Sequence, residues 1–179
     1  MKRIFLIRHC KATGQDPDAQ LTVEGINQSN QLSRFLDNKS IDYVVSSPYL
    51  RAVNTIAPFA KNKNLSVHID DRLSERVLSS ENLSNWMSPL RESFDDLDKK
   101  LPGGESSREA MQRGVSVIQE LLDNTYRDIV VVTHGNLLSL IIKHYDKQFG
   151  FSDWKGLSNP DVYMITILET GIELNRIWV

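Results

Sequence analysis

The sequence predicts an α/β fold, a three-layer α/β/α sandwich with a mostly parallel sheet. β-branched apolar runs alternate along the chain with amphipathic helical patterns, which is typical of strands joined by crossover helices. Two of these runs, 2–10 and 128–134, contain uninterrupted apolar stretches at 4–7 and 129–132, as expected of strands that are covered on both faces. We find no repeat, low-complexity tract or linker, so we expect residues 1–179 to form a single domain.

The first half of the chain supplies three strands in turn. After strand 2–10 comes a loop, and then a helix for which Thr22 is the predicted N-cap. Its apolar residues recur at helical spacing and share one face. Residues 41–45 are the second predicted strand and residues 65–69 the third, which is short and alternating.

A second helix is predicted to follow strand 41–45. Ser47 is suited to the N-cap position and Pro48 to the first helical position, where the missing N–H of proline costs nothing. Pro58 should kink or shorten this helix, because proline removes one backbone hydrogen bond and clashes with the preceding turn.

The second half begins with a less regular stretch. Residues 83–97 have a helical pattern broken at Pro89, and we interpret the wider segment 77–104 as a helical lid excursion. Residues 105–107 should open a well-patterned helix, with Glu105 at its terminus.

Strand 128–134 and one more helix follow, and the chain closes with two strands. These strands, 162–168 and 172–178, form a predicted hairpin through Thr170–Gly171. An exposed edge in this hairpin could pair two chains, so we expect a monomer or a homodimer.

Composition excludes several classes of protein. The net charge of −2 argues against a nucleic-acid-binding face. A single cysteine excludes an internal disulfide and fits a reducing compartment, so we expect a cytoplasmic protein. The basic start at Lys2 and Arg3 is followed by an apolar run that Arg8 interrupts too early for a signal peptide, and no run approaches membrane-spanning length.

Polar side chains follow four of the predicted strands. Arg8 and His9 end the first, Arg51 lies just past the second, Glu75 follows the third, and His134 ends the fourth. Open α/β sheets bind ligands outside the carboxyl ends of their strands, so all five residues should meet at one sheet edge.

Two arginines beside two histidines predict a site for a small, highly charged anion. Guanidinium groups match phosphate oxygens bidentately, and the helix N-termini after Pro48 and His134 should add backbone N–H donors. A metal is the competing interpretation of two histidines. We reject it because fixed positive charge opposes a cation and the ligand spacing is absent. We therefore expect no metal and no other cofactor.

A histidine in such a pocket can act as a nucleophile. The free imidazole pKa is near ~6.5, and neighbouring arginines should lower the pKa of His9, leaving a neutral nitrogen that can attack phosphorus. Arg8, Arg51 and His134 would stabilise the phosphoryl oxygens. Glu75 is the best-placed proton donor for the leaving alkoxide, since a bound phosphate favours its acid form. The fallback carboxyls are Asp70, Asp71 and Glu105.

These residues form an ordered set of motifs that covers most of the chain. The motifs are Arg8-His9, Leu21-Thr22-x-x-Gly25, Ser46-Ser47-Pro48-x-x-Arg51-Ala52, Leu73-x-Glu75, Gly104-Glu105-Ser106 and Val132-Thr133-His134-Gly135. The set resembles the histidine phosphatase superfamily, with its phosphoglycerate-mutase-like fold. The resemblance implies that His9 is the phosphorylated nucleophile, that Arg8, Arg51 and His134 form the phosphate pocket, and that Glu75 is the general acid and base.

The sequence departs from the family pattern at three places. Cys10 replaces the glycine that usually follows the nucleophilic histidine, and Ala12 stands where many members have a hydroxyl. Gln15 is then the candidate replacement donor to phosphate. The glycine-containing continuation usual after the catalytic glutamate is missing after Glu75.

We also consider a cysteine, two further histidines and two tryptophans as site residues. A cysteine-phosphatase loop starting at Cys10 is excluded, because the position that needs arginine is Asp16. His68 and His144 are interpreted as surface or structural histidines. Trp86 and Trp154 are either core residues or lie at the mouth of the pocket.

The resulting functional prediction is a metal-independent phosphoric monoester hydrolase of the histidine acid phosphatase type, acting on a small phosphorylated substrate. Segment 76–102 does not resemble the corresponding mutase segment, which favours a phosphatase. Phosphoglycerate mutase-type transfer and an inactive phosphate-binding module remain the alternatives.

Overall fold

The computed structural model describes residues 1–178. The strands are β1 (Lys2–Arg8), β2 (Tyr43–Ser46), β3 (Val67–Ile69), β4 (Asp128–Thr133), β5 (Asp161–Leu168) and β6 (Gly171–Arg176). The helices are α1 (Val23–Leu36), α2 (Leu50–Lys63), α3 (Met87–Asp95), α4 (Ser107–Asp123), α5 (Gly135–Tyr145) and α6 (Phe151–Lys155). None of the helices in this part of the chain is long and apolar enough to cross a membrane.

The six strands form one sheet in the order β3-β2-β4-β1-β5-β6. β3, β2, β4 and β1 pair in parallel, whereas β5 and β6 add an antiparallel edge. The carboxyl ends of β1, β2 and β4 therefore open at the same edge. The predicted α/β class with a mostly parallel sheet is confirmed.

Each face of the sheet carries its own apolar core. On one face, Ile4, Leu6 and Val131 pack with residues of α4 and α5. On the other, Phe5 and Val130 pack with residues of α1 and α2. Successive residues of a strand point to opposite faces, so the continuously apolar runs of β1 and β4 serve both cores. This is the predicted three-layer arrangement.

The start of α2 differs from the prediction. The helix begins at Leu50, with Tyr49 in the N-cap position, so Ser47 is not its N-cap and Pro48 is not its first residue. The hydroxyl of Ser47 instead bonds to His134, and it also accepts a hydrogen bond from the Tyr49 N–H. Both errors have the same cause: the Ser47 side chain bonds to His134 and does not cap the helix.

Pro58 does not shorten α2, which runs on to Lys63. Proline cannot donate to the carbonyl four residues earlier, which here is that of Asn54. The hydroxyl of Ser29, on the adjoining α1, lies 3.1 Å from this carbonyl and 3.0 Å from that of Thr55, and its one proton is shared between the two. A tertiary hydrogen bond therefore replaces the one that proline removes.

Segment 77–104 contains one helix, α3, and irregular chain on either side. Pro89 does not break this helix, because α3 starts at Met87 and the proline lies in its first turn. The first N–H groups of a helix have no intrahelical partner, so proline is tolerated there.

The start of α4 is also displaced from the prediction by a residue or two. Ser106 is the N-cap, and with Glu109 it forms a capping box. Glu105 lies outside the helix and pairs with Arg113 at 2.9 Å. The predicted hairpin between β5 and β6 is present, and Gly171 opens its second strand at a φ of +137°.

Candidate active site

A cavity of about 610 Å³ opens at the carboxyl edge of the parallel strands. Arg8, Arg51 and Glu75 line its floor, and His9 and His134 lie buried beside them. The five residues that the strand ends predicted are therefore brought together in one place.

His9 follows β1 and is 8% exposed. Its Nδ1 lies 2.7 Å from the carbonyl oxygen of Cys10, to which it donates a hydrogen bond in the tautomer that this contact favours. Its Nε2 then carries a lone pair, and it accepts a hydrogen bond from Nε of Arg51 at 3.2 Å. Burial, together with the charges of Arg51 and Arg8, lowers the pKa of His9 to about 3. The imidazole is neutral at physiological pH.

His134 is fully buried at the N-terminus of α5. Its ring centroid lies 5.1 Å from that of His9 and 4.9 Å from that of Tyr49. Burial, with help from the neighbouring His9 and arginines, holds the pKa of His134 well below its usual value. Its Nε2 bonds to Ser47 Oγ at 2.7 Å. This contact leaves Nδ1 for a ligand.

Arg51 is 1% exposed and lies in the first turn of α2. Besides His9, its guanidinium reaches the carbonyl oxygens of Gln15 and Asp16 at 3.0 and 2.8 Å, and it lies over the ring of Tyr49 at 4.9 Å. Its partners are neutral, so its charge is not cancelled by a direct salt bridge. It therefore contributes positive potential to the cavity.

Arg8 is the last residue of β1. Nη1 donates to the carbonyl of Leu157 at 3.0 Å, whereas Nε is buried and has no hydrogen-bond partner among the described residues. Gly135 allows this position, because a Cβ on residue 135 would lie 3.0 Å from Arg8 Nε and 3.2 Å from its Cζ. A side chain at the position after His134 would therefore crowd the guanidinium and shift it by a few tenths of an ångström.

Glu75 is held at the N-terminus of α5. One of its oxygens accepts hydrogen bonds from the N–H groups of Arg76 and Leu137 at 2.8 and 3.0 Å, and the other accepts from Asn136 N at 3.1 Å. The helix terminus favours a negative charge at this point. The prediction that these first N–H groups of α5 serve the ligand is therefore wrong for Asn136 and Leu137, which hold a carboxylate of the protein instead.

Three buried side-chain polar atoms have no hydrogen-bond partner within residues 1–178, and all three belong to this site. They are Arg8 Nε, His134 Nδ1 and Asn136 Oδ1. Buried polar groups are normally paired, and an unpaired one is costly. With Nδ1 protonated, two of these atoms are donors, and an anion at the cavity floor would satisfy both.

Gln15 lines the cavity with an exposed side chain. Its backbone oxygen, by contrast, is occupied by Arg51. The residue is thus within the site region, and its use as a donor to phosphate stays a prediction.

The fallback carboxyls are committed elsewhere or lie outside the cavity lining. Asp70 binds the guanidinium of Arg72, which lowers the pKa of that carboxyl, and Glu105 pairs with Arg113. Asp71 is exposed in a 3-10 turn. Glu75 is the carboxylate on the cavity floor.

Cys10 is fully buried, and burial raises the pKa of its thiol to about 12, so it is neutral. Its backbone N–H donates to Thr55 Oγ1 at 2.8 Å. Its φ is not positive, so a side chain is accommodated at a position where relatives often have glycine. His68 and His144 lie away from the cavity lining, the first stacked on Tyr43.

Sequence reasoning missed two contributors to the site. Asn136 places its backbone N–H on Glu75 and an unpaired side-chain oxygen at the cavity floor. Tyr49 contacts both His134 and Arg51 through its ring. The only sequence signal for either was its position next to a motif residue.

Comparison with known proteins agrees with this geometry. The chain matches the histidine phosphatase superfamily (branch 1) over residues 4–178. It is 28% identical over 157 residues to the adenosylcobalamin/alpha-ribazole phosphatase of Escherichia coli K12, covering 78% of this chain and 77% of that protein. It is 26% identical over 152 residues to phosphoserine phosphatase 1 of Hydrogenobacter thermophilus, covering 75% and 71%.

A solved structure shares the fold. A mycobacterial glucosyl-3-phosphoglycerate phosphatase superposes with a TM-score of 0.78 at 22% identity, covering 98% of this chain and 96% of that one. These relatives are phosphatases by name. Since the family match spans both the predicted motifs and nearly the whole sheet, the chain belongs to the histidine phosphatase superfamily.

Proposed function

We propose that this protein is a metal-independent phosphatase that hydrolyses a phosphomonoester through a phosphohistidine on His9, with Glu75 as general acid and base. The observation that carries the proposal is the pairing of a neutral, oriented His9 Nε2 with two unpartnered buried donors, Arg8 Nε and His134 Nδ1. A nucleophile beside an unsatisfied anion site is the arrangement that phosphoryl transfer requires.

In the first step, the phosphoryl oxygens bind Arg8, Arg51 and His134. Arg51 Nε–H turns from His9 Nε2 to a phosphoryl oxygen. The lone pair that this frees on Nε2 forms the N–P bond while the bond from phosphorus to the alcohol oxygen breaks. Glu75 gives a proton to the departing oxygen as the general acid. The hydrogen bond from Nδ1 to the Cys10 carbonyl stabilises the positive charge that the phosphorylated imidazole acquires.

In the second step, water attacks phosphorus and the N–P bond breaks. The electron pair of that bond returns to His9 Nε2, and Glu75 takes the proton from the water. The backbone N–H groups that hold Glu75 fit the carboxylate form needed for this step. Inorganic phosphate is then released from the guanidinium groups.

The named activities of the relatives support hydrolysis over mutase-type transfer. Both sequence relatives described above are phosphatases, one for phosphoserine and one for adenosylcobalamin/alpha-ribazole phosphate esters by name. No metal is required by this scheme, since the arginines supply the positive charge that a Lewis acid would otherwise provide.

The test is phosphate release from a panel of phosphomonoesters, including O-phosphoserine and 3-phosphoglycerate, with a chelator present. Wild type and His9→Ala are compared, and the reaction is also quenched rapidly to look for a phosphoenzyme that is acid-labile and alkali-stable. We expect release by wild type, loss of release in His9→Ala, and an acid-labile intermediate in wild type alone. Equal release by both proteins would remove His9 as the nucleophile. Phosphoenzyme without release would favour a binding module.

A further inference from the structure

Beyond the phosphate-binding floor, most of the residues that line the cavity are apolar, and Ser79, Glu81 and Asn82 are the polar ones among residues 77–104. We call the apolar residues the apolar arm, which comprises Val77, Leu78, Leu83, Trp86, Leu90 and Trp154. The first five come from segment 77–104 and the last from α6, so a side excursion and a separate helix meet to build one surface. Of the two interpretations offered for Trp86 and Trp154, the structure supports the second, since both side chains line the cavity.

Trp86 is 47% exposed and adjoins the other apolar side chains of the arm. A contiguous exposed apolar surface of this kind is typical of a ligand-binding groove. Its ring stands edge-to-face to that of Trp154, with centroids 6.2 Å apart at 89°. Trp154 lies against Phe151 at 5.4 Å, and Phe151 contacts Phe94 at 6.2 Å. The aromatic side chains behind Trp86 thus hold its ring at the cavity.

The arm has no free cation for a second anionic group of a substrate. Among the residues of segment 77–104 that line the cavity, Glu81 is the one with a charge, and it is negative. Arg76, just before the segment, is 7% exposed. Its guanidinium donates to the hydroxyls of Ser93 and Ser107 at 2.8 and 2.9 Å and to the carbonyl of Glu105 at 3.2 Å. Most of the N–H groups of the Arg76 guanidinium are therefore used to stabilise segment 77–104 and the start of α4, and are not available to a ligand.

These observations separate two chemical classes of phosphomonoester. A substrate with a carboxylate near its phosphate would bury that charge against Trp86 and Leu83 without a cationic partner, which is unfavourable. A flat uncharged ring would replace water on the exposed Trp86 face and gain both apolar burial and an aromatic contact. The volume of about 610 Å³ is within the range of small-molecule sites and accommodates such a group beside a phosphate.

We propose, on the basis of the function proposed above, that the substrate is a phosphomonoester whose alcohol portion bears an uncharged aromatic ring, and that the apolar arm binds this ring through Trp86. The residues of the cavity floor bind the phosphate group, and the apolar arm discriminates between the alcohol portions of different esters. The arm is thus the specificity-determining part of the cavity.

The experiment compares esters that share an aliphatic leaving oxygen, so that leaving-group reactivity does not mimic binding. The pair is 2-phenylethyl phosphate and ethyl phosphate, with O-phosphoserine as the charged competitor. kcat/KM is measured for wild type, Trp86→Ala and Trp86→Phe. Trp178→Phe is the matched control, because Trp178 packs on Phe35 and does not line the cavity.

We expect wild type to favour 2-phenylethyl phosphate over both other esters by roughly tenfold or more, the scale of one buried aromatic contact. Trp86→Ala should remove most of this preference while changing ethyl phosphate turnover less than threefold, an order-of-magnitude bound for a residue off the floor. Trp86→Phe should keep part of the preference, and Trp178→Phe should keep all of it. His9-dependent hydrolysis of ethyl phosphate without a preference for the aryl ester would overturn this inference and leave the proposed function intact.

Binding is measured separately, so that the inference is tested even if turnover fails. The probes are 2-phenylethylphosphonate and ethylphosphonate, titrated into the full chain by isothermal titration calorimetry, a readout that does not depend on Trp86 as a fluorophore. Tighter binding of the aryl phosphonate, lost in Trp86→Ala, supports the apolar arm. Equal affinity for the two phosphonates overturns it, whereas absence of hydrolysis of every ester counts against the proposed function alone.

Discussion

Ser47 Oγ lies 2.7 Å from His134 Nε2, and this contact fixes which nitrogen of His134 faces the ligand. Ser47 Oγ already accepts a hydrogen bond from the Tyr49 N–H at 3.2 Å, so its own proton is available for Nε2. A neutral imidazole that accepts at Nε2 carries its proton on Nδ1. The unpaired buried Nδ1 is therefore a donor, as a phosphoryl oxygen requires.

Without the Ser47 hydroxyl, the Nδ1–H tautomer of His134 should no longer be favoured over the Nε2–H tautomer. We expect Ser47→Ala to lower kcat/KM by about 10- to 100-fold, the range seen when a residue that orients a ligating histidine is lost. Ser47→Thr, which keeps the hydroxyl, should recover most of the activity. The ¹⁵N shifts of His134 provide the direct readout: a mixture of tautomers in Ser47→Ala is expected, and an unchanged Nδ1–H form would contradict the role of Ser47.

Gly135 is the residue that allows Arg8 to lie against the start of α5. Gly135→Ala would put a Cβ 3.0 Å from Arg8 Nε and displace the guanidinium. We expect KM for a phosphomonoester to rise by about tenfold, since one charged contact to phosphate is weakened, with little loss of stability. The control is Gly150→Ala, whose Cβ would be 3.7 Å from its nearest neighbour, the Gln148 carbonyl. Identical kinetics in the two variants would show that Arg8 does not bind phosphate.

Glu75→Gln tests proton transfer through its dependence on the leaving group. The amide cannot protonate an alkoxide, so turnover of alkyl phosphates should fall by about 10²- to 10⁴-fold. p-Nitrophenyl phosphate has a leaving group that needs little help from an acid, and phosphorylation of His9 by this ester should be slowed much less. The measurement is single-turnover release of each alcohol. An equal loss for both ester classes would assign Glu75 to positioning rather than to proton transfer.

Sequence reasoning succeeded where the geometry follows from topology alone. Arg8, Arg51 and His134 could be grouped because the carboxyl ends of parallel strands meet at one edge, whichever loops connect them. The paired cores could also be predicted, since a strand with four consecutive apolar residues, as at 4–7 and 129–132, has to be buried on both faces.

The predictions that failed concern helix ends and helix breaks. In each case a contact with a residue distant in sequence outweighs the local preference of the side chain. Ser47 is a good N-cap by type, yet His134 takes its hydroxyl, and α2 begins later. Pro58 is a helix breaker by type, yet Ser29 supplies the missing donor. His134 is distant in sequence from Ser47, and Ser29 is distant from Pro58. Local helix propensity therefore could not predict either contact.

Lys2 has a structural role that its place near the chain start did not indicate. Its Nζ donates to the carbonyls of Leu121, Leu122 and Asn124 at 2.7, 2.9 and 2.6 Å, and so caps the C-terminus of α4. We expect Lys2→Met to lower the free energy of unfolding by about 1–2 kcal/mol, measured by urea denaturation, with kcat unchanged. Lys155→Met, at an exposed position of α6, is the control and should cost far less.

The two buried histidines predict how stability depends on pH. His9 has a pKa of about 3 in the folded chain, against ~6.5 for a free imidazole, and the pKa of His134 is shifted in the same direction. Between pH 6.5 and 3 the unfolded chain therefore binds protons that the folded chain does not. Stability contributed by the neutral histidines is fully present above pH 6.5 and is lost as the pH falls toward 3.

His9→Gln separates this effect from the titration of carboxylates. Each histidine that stays neutral in the fold adds up to ~1.4 kcal/mol per pH unit to the slope of unfolding free energy against pH. Urea denaturation at pH 7.5, 6.0, 5.0 and 4.5 should give a falling free energy for wild type and a shallower fall for His9→Gln. If the unfolding free energy of both proteins falls with pH at the same rate, the pKa of His9 is similar in the folded and the unfolded chain. The fold would then not be what keeps His9 neutral.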